Sequence, residues 1–338
     1  MEFLRRAALG ALDRFGLEVR RRGPSDDRHL RPSHATDVPL PPGATDRLRR
    51  DHPRLLHLKD AYERLDLPVM VRSKWGDGRV ERDLELDGFR GDNVFVWQYR
   101  QFADRARLRF FLTSLEARSQ DRLGLLDRLE EDGAFGCWTF RFADGKALSR
   151  DLLDSVIELN HLDERLGISG RDRFRILDIG AGYGRLAHRA CEAFPSIVVY
   201  DCIDAIAESS FLCEYYLEHR RLDSRARSIA MDEHHRLHGT YDLAVNIHSF
   251  SESPRVAIRW WLELLRDKEV PNLLIVPNDG GRFLSSEPDG SKVDFLPDVL
   301  DVGYRLVDSR PVYLDDDLRA FIGVDDRLHL FALDRSPQ

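Results

Sequence analysis

The chain has 338 residues, 42% of them hydrophobic, enough for one large domain and a smaller one with real cores. A formal net charge of -8 excludes a nucleic-acid-coating protein, and no run of about 18 or more uncharged apolar residues is present to span a membrane. The four cysteines, Cys137, Cys191, Cys202 and Cys213, lack Cys-x-x-Cys spacing and read as reduced core thiols of a cytoplasmic protein without a leader.

In chain order, residues 2–19 have the pattern of an amphipathic helix. Leu4, Ala8, Ala11 or Leu12 and Phe15 share a face, and Arg5, Arg6, Arg14 and Arg20 to Arg22 supply charge. The segment 1–22 suits peripheral contact with the inner face of a membrane, or packing on its own domain or on a sister subunit of a homodimer; the acidic balance of the chain favours packing. Residues 23–46, with Pro24, Pro32, Pro39, Pro41 and Pro42, read as a linker. Residues 47–170 read as a mainly helical substrate or cap region. Helical patterns fall at 55–65 and, as one or two helices, at 103–131, and 93–99 reads as a strand or an aromatic helix start. Ser149 is an N-cap residue with Asp151 in the first turn and Leu152, Val156 and Leu159 on one face, which predicts a helix leading into a catalytic domain at 171–338.

Beyond residue 172 strands and helices alternate, which predicts a parallel sheet with helices on both faces. The expected strands are 174–179, 197–203, 227–231, 241–247, 272–277, 304–313 and 327–333; the expected helices lie near 184–194, 205–220, 254–267 and 294–302. The last two strands, joined by an acidic loop at Asp315-Asp316-Asp317, read as an antiparallel hairpin. A dinucleotide-binding sheet would continue with parallel strands instead.

The first of these strands runs into Asp178 and then Gly180-Ala181-Gly182-Tyr183-Gly184. Glycine at alternate positions lets backbone approach a ligand closely. A pyrophosphate site would favour Gly-x-Gly-x-x-Gly facing a helix N-terminus, but Arg185 stands where the sixth residue should be glycine. A carboxylate within the loop repels phosphate and suits a ligand with an ammonium and a sulfonium group, as in S-adenosylmethionine. Twenty residues past Gly184, Asp204 and the adjacent Ala205 end the second strand, where an open α/β sheet presents an acid to a ribose diol; Asp201 competes for that role. In this kind of fold the loop after the third strand lies over adenine, which assigns Asp232 to the exocyclic amine and Met231 to the ring. Asp232-Glu233-His234-His235 also has metal-ligand composition, but adjacent loop residues rarely hold one ion, and no metal is expected.

Asn246, Ser249 and Glu252 surround His248 at the end of the fourth strand, and His248 is the best general-base candidate, with His161 and Asp279 behind it. No Gly-x-Ser-x-Gly elbow supports a hydrolase.

The segments 177–185 (Leu-Asp-Ile-Gly-Ala-Gly-Tyr-Gly-Arg), 203–204 with 215–217 (Ile-Asp, Tyr-Tyr-Leu) and 245–252 (Val-Asn-Ile-His-Ser-Phe-Ser-Glu) resemble the sugar O-methyltransferases of the class I S-adenosylmethionine-dependent superfamily. The likeness covers about residues 70–335. It implies a Rossmann-like seven-stranded sheet with an antiparallel C-terminal hairpin, and methylation of a hydroxyl on a sugar or glycoconjugate. One departure is Asp204-Ala205-Ile206, where the family has acid-x-Pro. Trp75, Trp97, Tyr99 and Trp138 are candidates for stacking on sugar faces. A non-catalytic S-adenosylmethionine-binding module and a NAD-dependent oxidoreductase are the rival readings.

Overall fold

A computed structural model describes residues 38–72, 74–76, 78–91, 94–96, 103–141 and 145–334; the expected helix at 2–19, most of the linker, Trp97 and Tyr99 lie outside the described residues. The strands β1 (Phe174–Ile179), β2 (Ile197–Ile203), β3 (Ala226–Ile229), β4 (Leu243–Ile247), β5 (Asn272–Val276), β6 (Tyr304–Pro311) and β7 (Arg327–Leu333) form one sheet in the order β3-β2-β1-β4-β5-β7-β6. The first five are parallel, and β7 pairs antiparallel with both β5 and β6. This is the seven-stranded order with an antiparallel C-terminal pair that the sequence leads one to expect. The strand order reverses at β1, so the carboxyl ends of β1 and β4 flank the crevice where open α/β sheets receive ligands.

Apolar strands with helices on both faces follow from the two-residue alternation of side chains. Leu177, Ile179, Ile203, Ala244, Leu273, Ile275 and Phe331 enter one core, which also holds Leu55, Leu58 and Tyr62 of α1 (Pro53–Glu63). Phe174, Ile176, Cys202, Val245, Leu274 and Leu330 enter the other, with Phe110 and Ala117 of α2 (Ala103–Gln120) and Leu152, Val156 and Leu159 of α3 (Arg150–Leu166). Both cores thus draw residues from either side of position 170. The helices α4 (Arg185–Ala193), α5 (Ala207–His219), α6 (Arg255–Asp267) and α7 (Leu296–Asp301) connect the strands. The α3 start is capped by Ser149, whose hydroxyl oxygen accepts from Leu152 N at 3.1 Å.

One local reading is narrowed and one changes. The 103–131 stretch is two helices, because the Asp121 carboxylate accepts from Leu125 N (2.8 Å) and Leu126 N (2.7 Å) and starts a new short helix, Leu125–Arg128. The acidic 315–317 loop opens a helix, α8 (Asp316–Ile322): Asp315 caps it by accepting from Leu318 N at 2.7 Å, and Gly323 ends it at φ 71°. Among the described residues no helix is long and apolar enough to cross a membrane.

Candidate active site

The carboxyl ends of β1, β2 and β4 open into a cavity of about 690 Å³. Its floor is the glycine loop. Gly180, Gly182 and Gly184 hold φ of 70°, 58° and 85°, the left-handed region in which a side chain is strained. There is also no room for one: a Cβ on Gly180 would lie 2.0 Å from Ser249 Oγ, and a Cβ on Gly182 2.7 Å from Phe95 Cδ1. Gly180 N donates to Ile203 O at 2.8 Å, tying the loop to the end of β2. Ala181 and Tyr183 also line the cavity, although the Tyr183 hydroxyl is committed to Asp151.

Both predicted carboxylates face this cradle. Asp204 accepts from Gly182 N (3.1 Å) and Ile206 N (2.9 Å), so it braces the glycine loop while Ala205 and Ile206 extend the wall. Asp178 accepts from the Tyr200 hydroxyl at 2.9 Å. Burial pushes each carboxyl up to about 7, against the hydrogen bonds that favour the anion. Asp201 is out of reach, because Arg227 grips it through two bonds (2.7 and 3.0 Å) and the Tyr241 hydroxyl donates a third at 2.6 Å.

His248 ends β4 at φ 68°, a strained conformation for a residue with a side chain. Its backbone N donates to Val276 O at 2.8 Å, and its half-exposed ring borders the cavity with Nε2 3.5 Å from Asp326 Oδ2. The imidazole thus stands at the cavity edge with a carboxylate beside it.

Four expected contacts are not made to the cavity, the first being Gly184, which faces Cys213 and Leu217 instead. Met231 is fully buried and neither it nor Asp232 lines the site, because α1 covers their 3-10 turn: the Tyr62 hydroxyl accepts from Met231 N at 2.9 Å and shares a hydrogen bond with Ser210 Oγ. The apolar wall beside Ile206 comes instead from Val69, Val80, Leu84 and Trp261. Asn246 is wholly buried and acts as a brace, donating to Ile179 O (2.9 Å) and accepting from Phe250 N (3.0 Å). His161 is buried between α3 and β6, and Asp279 pairs with Lys292; neither lines the cavity. Trp138 is likewise away from it, whereas Trp75 is on its wall.

Several cavity residues have no local sequence signal. Asp326 follows α8, 78 residues after His248. Glu252 gathers Lys74 Nζ, Trp75 Nε1 (2.7 Å) and Asn278 Nδ2 (3.1 Å), joining the 74–75 segment to the loops after β4 and β5. Arg185 binds Glu158 through two bonds (2.8 and 3.0 Å), and Arg150 binds Asp154 on the same face of α3. Burial pushes the Glu158 carboxyl up despite that ion pair. Among the described residues no group of three or more His, Cys, Asp or Glu side chains is placed to hold a metal ion.

No protein-family model matches the chain, and no curated protein matches it. Solved structures do. The [4+2]-cyclase SpnF is 16% identical over 65% of this chain and 96% of its own, with a TM-score of 0.39. The StiE O-MT is 16% identical over 53% and 74%, with a TM-score of 0.40. The Thermus thermophilus 16S rRNA N2 G1207 methyltransferase RsmC, solved with AdoMet and guanosine, is 19% identical over 59% and 46%, with a TM-score of 0.38. At such identities and scores the likeness is one of backbone arrangement and carries no chemistry across.

Proposed function

We infer that the chain is an S-adenosylmethionine-dependent methyltransferase whose acceptor is a hydroxyl of a sugar or glycoconjugate. One observation carries the reading: a side-chain-free glycine cradle faced by two buried carboxylates, Asp178 and Asp204, each held near 7 by desolvation. A ligand bearing cationic groups and a ribose diol relieves that desolvation, whereas a pyrophosphate adds repulsion. The residues therefore fit S-adenosylmethionine and oppose a nicotinamide dinucleotide. The volume is also in the range of cofactor sites.

When bound, S-adenosylmethionine supplies an electrophilic methyl group on a sulfonium. The chain's own work is positioning and proton removal. Backbone at 180–184 receives the amino-acid end, Asp204 accepts from the ribose hydroxyls, and Asp178 favours the cationic form of the ligand. His248 takes the acceptor proton, and the Asp326 carboxylate steadies the charge that the imidazole gains. Arg150, Asp154, Glu252 and Asn278 offer donors and acceptors on the same cavity, which supports a hydroxyl-rich acceptor, as does the resemblance at 245–252.

A labelled methyl donor with a panel of sugar-containing acceptors tests the reading. Transfer by the native chain should fall about 10²–10⁴-fold in His248→Ala with binding of S-adenosylhomocysteine retained. Full turnover by that variant would remove His248 from the role of base. Tight S-adenosylhomocysteine binding with no transfer to any acceptor would favour a binding module.

A further inference from the structure

Gly182 and Gly184 flank Tyr183, so a loop otherwise free of bulk keeps one large ring. That ring is 1% exposed and sits among aromatics, with centroids 5.1 Å from Phe89, 5.1 Å from Tyr216 and 5.4 Å from Phe95. Its hydroxyl donates to Asp151 Oδ2 in the first turn of α3. The same oxygen accepts from Arg90 Nε at 3.0 Å, and Asp151 Oδ1, also buried, has no hydrogen-bond partner among the described residues. Both donors thus converge on a single oxygen.

Arg90 is wholly buried and does not line the cavity. It donates to Glu131 at 2.8 Å and to Ala134 O at 3.2 Å, and Glu131 in turn accepts from Arg189 of α4 (3.0 Å) and from Ser149 Oγ (2.6 Å). The Arg90 turn is locked on the 133–137 loop: Arg90 N donates to Phe135 O at 3.0 Å, and a Cβ on Gly91 would lie 1.9 Å from Gly136 O. A buried ionic cluster is a poor stabiliser compared with apolar packing, so its value lies in fixing geometry. Flanking glycines give the loop little conformational preference of its own. Gly180 N on Ile203 O and Gly184 N on Ala181 O hold its ends, and two carboxylates brace its middle, Asp204 on Gly182 N and Asp151 on the Tyr183 hydroxyl.

We propose that Arg90 and Asp151 are positioning residues for the glycine loop: through the Tyr183 hydroxyl they fix the backbone that receives the adenosyl ligand, so the N-terminal region sets affinity for a ligand that these two residues never touch. This rests on the S-adenosylmethionine reading above.

The test is calorimetric titration of the full chain with S-adenosylhomocysteine, alongside amide hydrogen exchange. Tyr183→Phe keeps the ring and its packing and removes only the donor. It should weaken binding more than twofold and by up to about tenfold, the limit reached when the whole value of that charged hydrogen bond goes into re-ordering the loop on binding, and speed exchange at residues 180–184 but not in β5. Arg90→Lys keeps the charge, reaches fewer acceptors and should fall between. A core control remote from the loop, Leu330→Val, should leave affinity unchanged at a comparable loss of thermal midpoint. Binding by Tyr183→Phe within twofold of the native chain would overturn the proposal, as would an equal loss of affinity in Leu330→Val. Absence of binding by the native chain would overturn the adenosyl reading and the proposal with it, so the two failures are told apart by which protein loses affinity.

Discussion

Asp178 and Asp204 are costly to keep as anions where they stand, and that cost has a sign. Their folded-state pKa near 7 lies above the unfolded carboxylate value near 3.8, so each contributes stability below about pH 4 that is lost as pH rises through 7. Asp178→Asn, which keeps an acceptor for the Tyr200 hydroxyl, should therefore raise the thermal midpoint at pH 8, by on the order of 1–3 kcal/mol of stability, and give little at pH 4.5. A melting series over that range checks this; a benefit that is constant or largest in acid would contradict the assigned burial. The ribose role separates two neighbours. Asp204→Ala should weaken S-adenosylhomocysteine binding at least tenfold. Asp201→Ala should leave affinity alone and instead lower stability by roughly 2 kcal/mol, as Arg227 and Tyr241 lose their partner. Calorimetry with the reverse pattern would exchange their roles.

At the level of elements, the parts written in local chemistry were legible. Ser149 as a cap, the alternation that sends Ile176 and Leu177 to opposite faces, and the glycine spacing all depend on neighbours within a few residues. The Asp315 cap was equally local but was obscured by three consecutive acids that look like a solvated loop. What sequence could not carry is long-range covering. Met231 and Asp232 sit where the sheet edge suggests adenine, yet Tyr62 reaches them from 169 positions away and closes that route. Asp326 meets His248 only because β6, α8 and β7 fold back onto the far side of β5, which brings the turn before β7 to the end of β4. The acid beside the candidate base was invisible for that reason.

Across the whole molecule, the boundary near 170 divides the topology and not the cores. Leu152, Val156 and Leu159 of α3 share a core with β1, and Leu55 and Tyr62 of α1 share the other with Leu177 and Ile203. A fragment beginning at residue 171 should therefore lose cooperative unfolding and fixed near-ultraviolet dichroism, since each sheet face loses a helix that packs into its core. A sharp melting transition in that fragment would contradict this account of the cores.

The glycine cradle with Asp178 and Asp204 is proposed to receive an adenosyl amino acid. Calorimetric titration of the full chain with S-adenosylhomocysteine and, separately, with NAD tests it most directly. The expected result is a one-to-one complex with S-adenosylhomocysteine whose affinity rises by up to tenfold per pH unit per carboxylate as pH increases toward about 7, and no NAD complex. Tight NAD binding, or no binding of S-adenosylhomocysteine at any pH between 5.5 and 8, would contradict it.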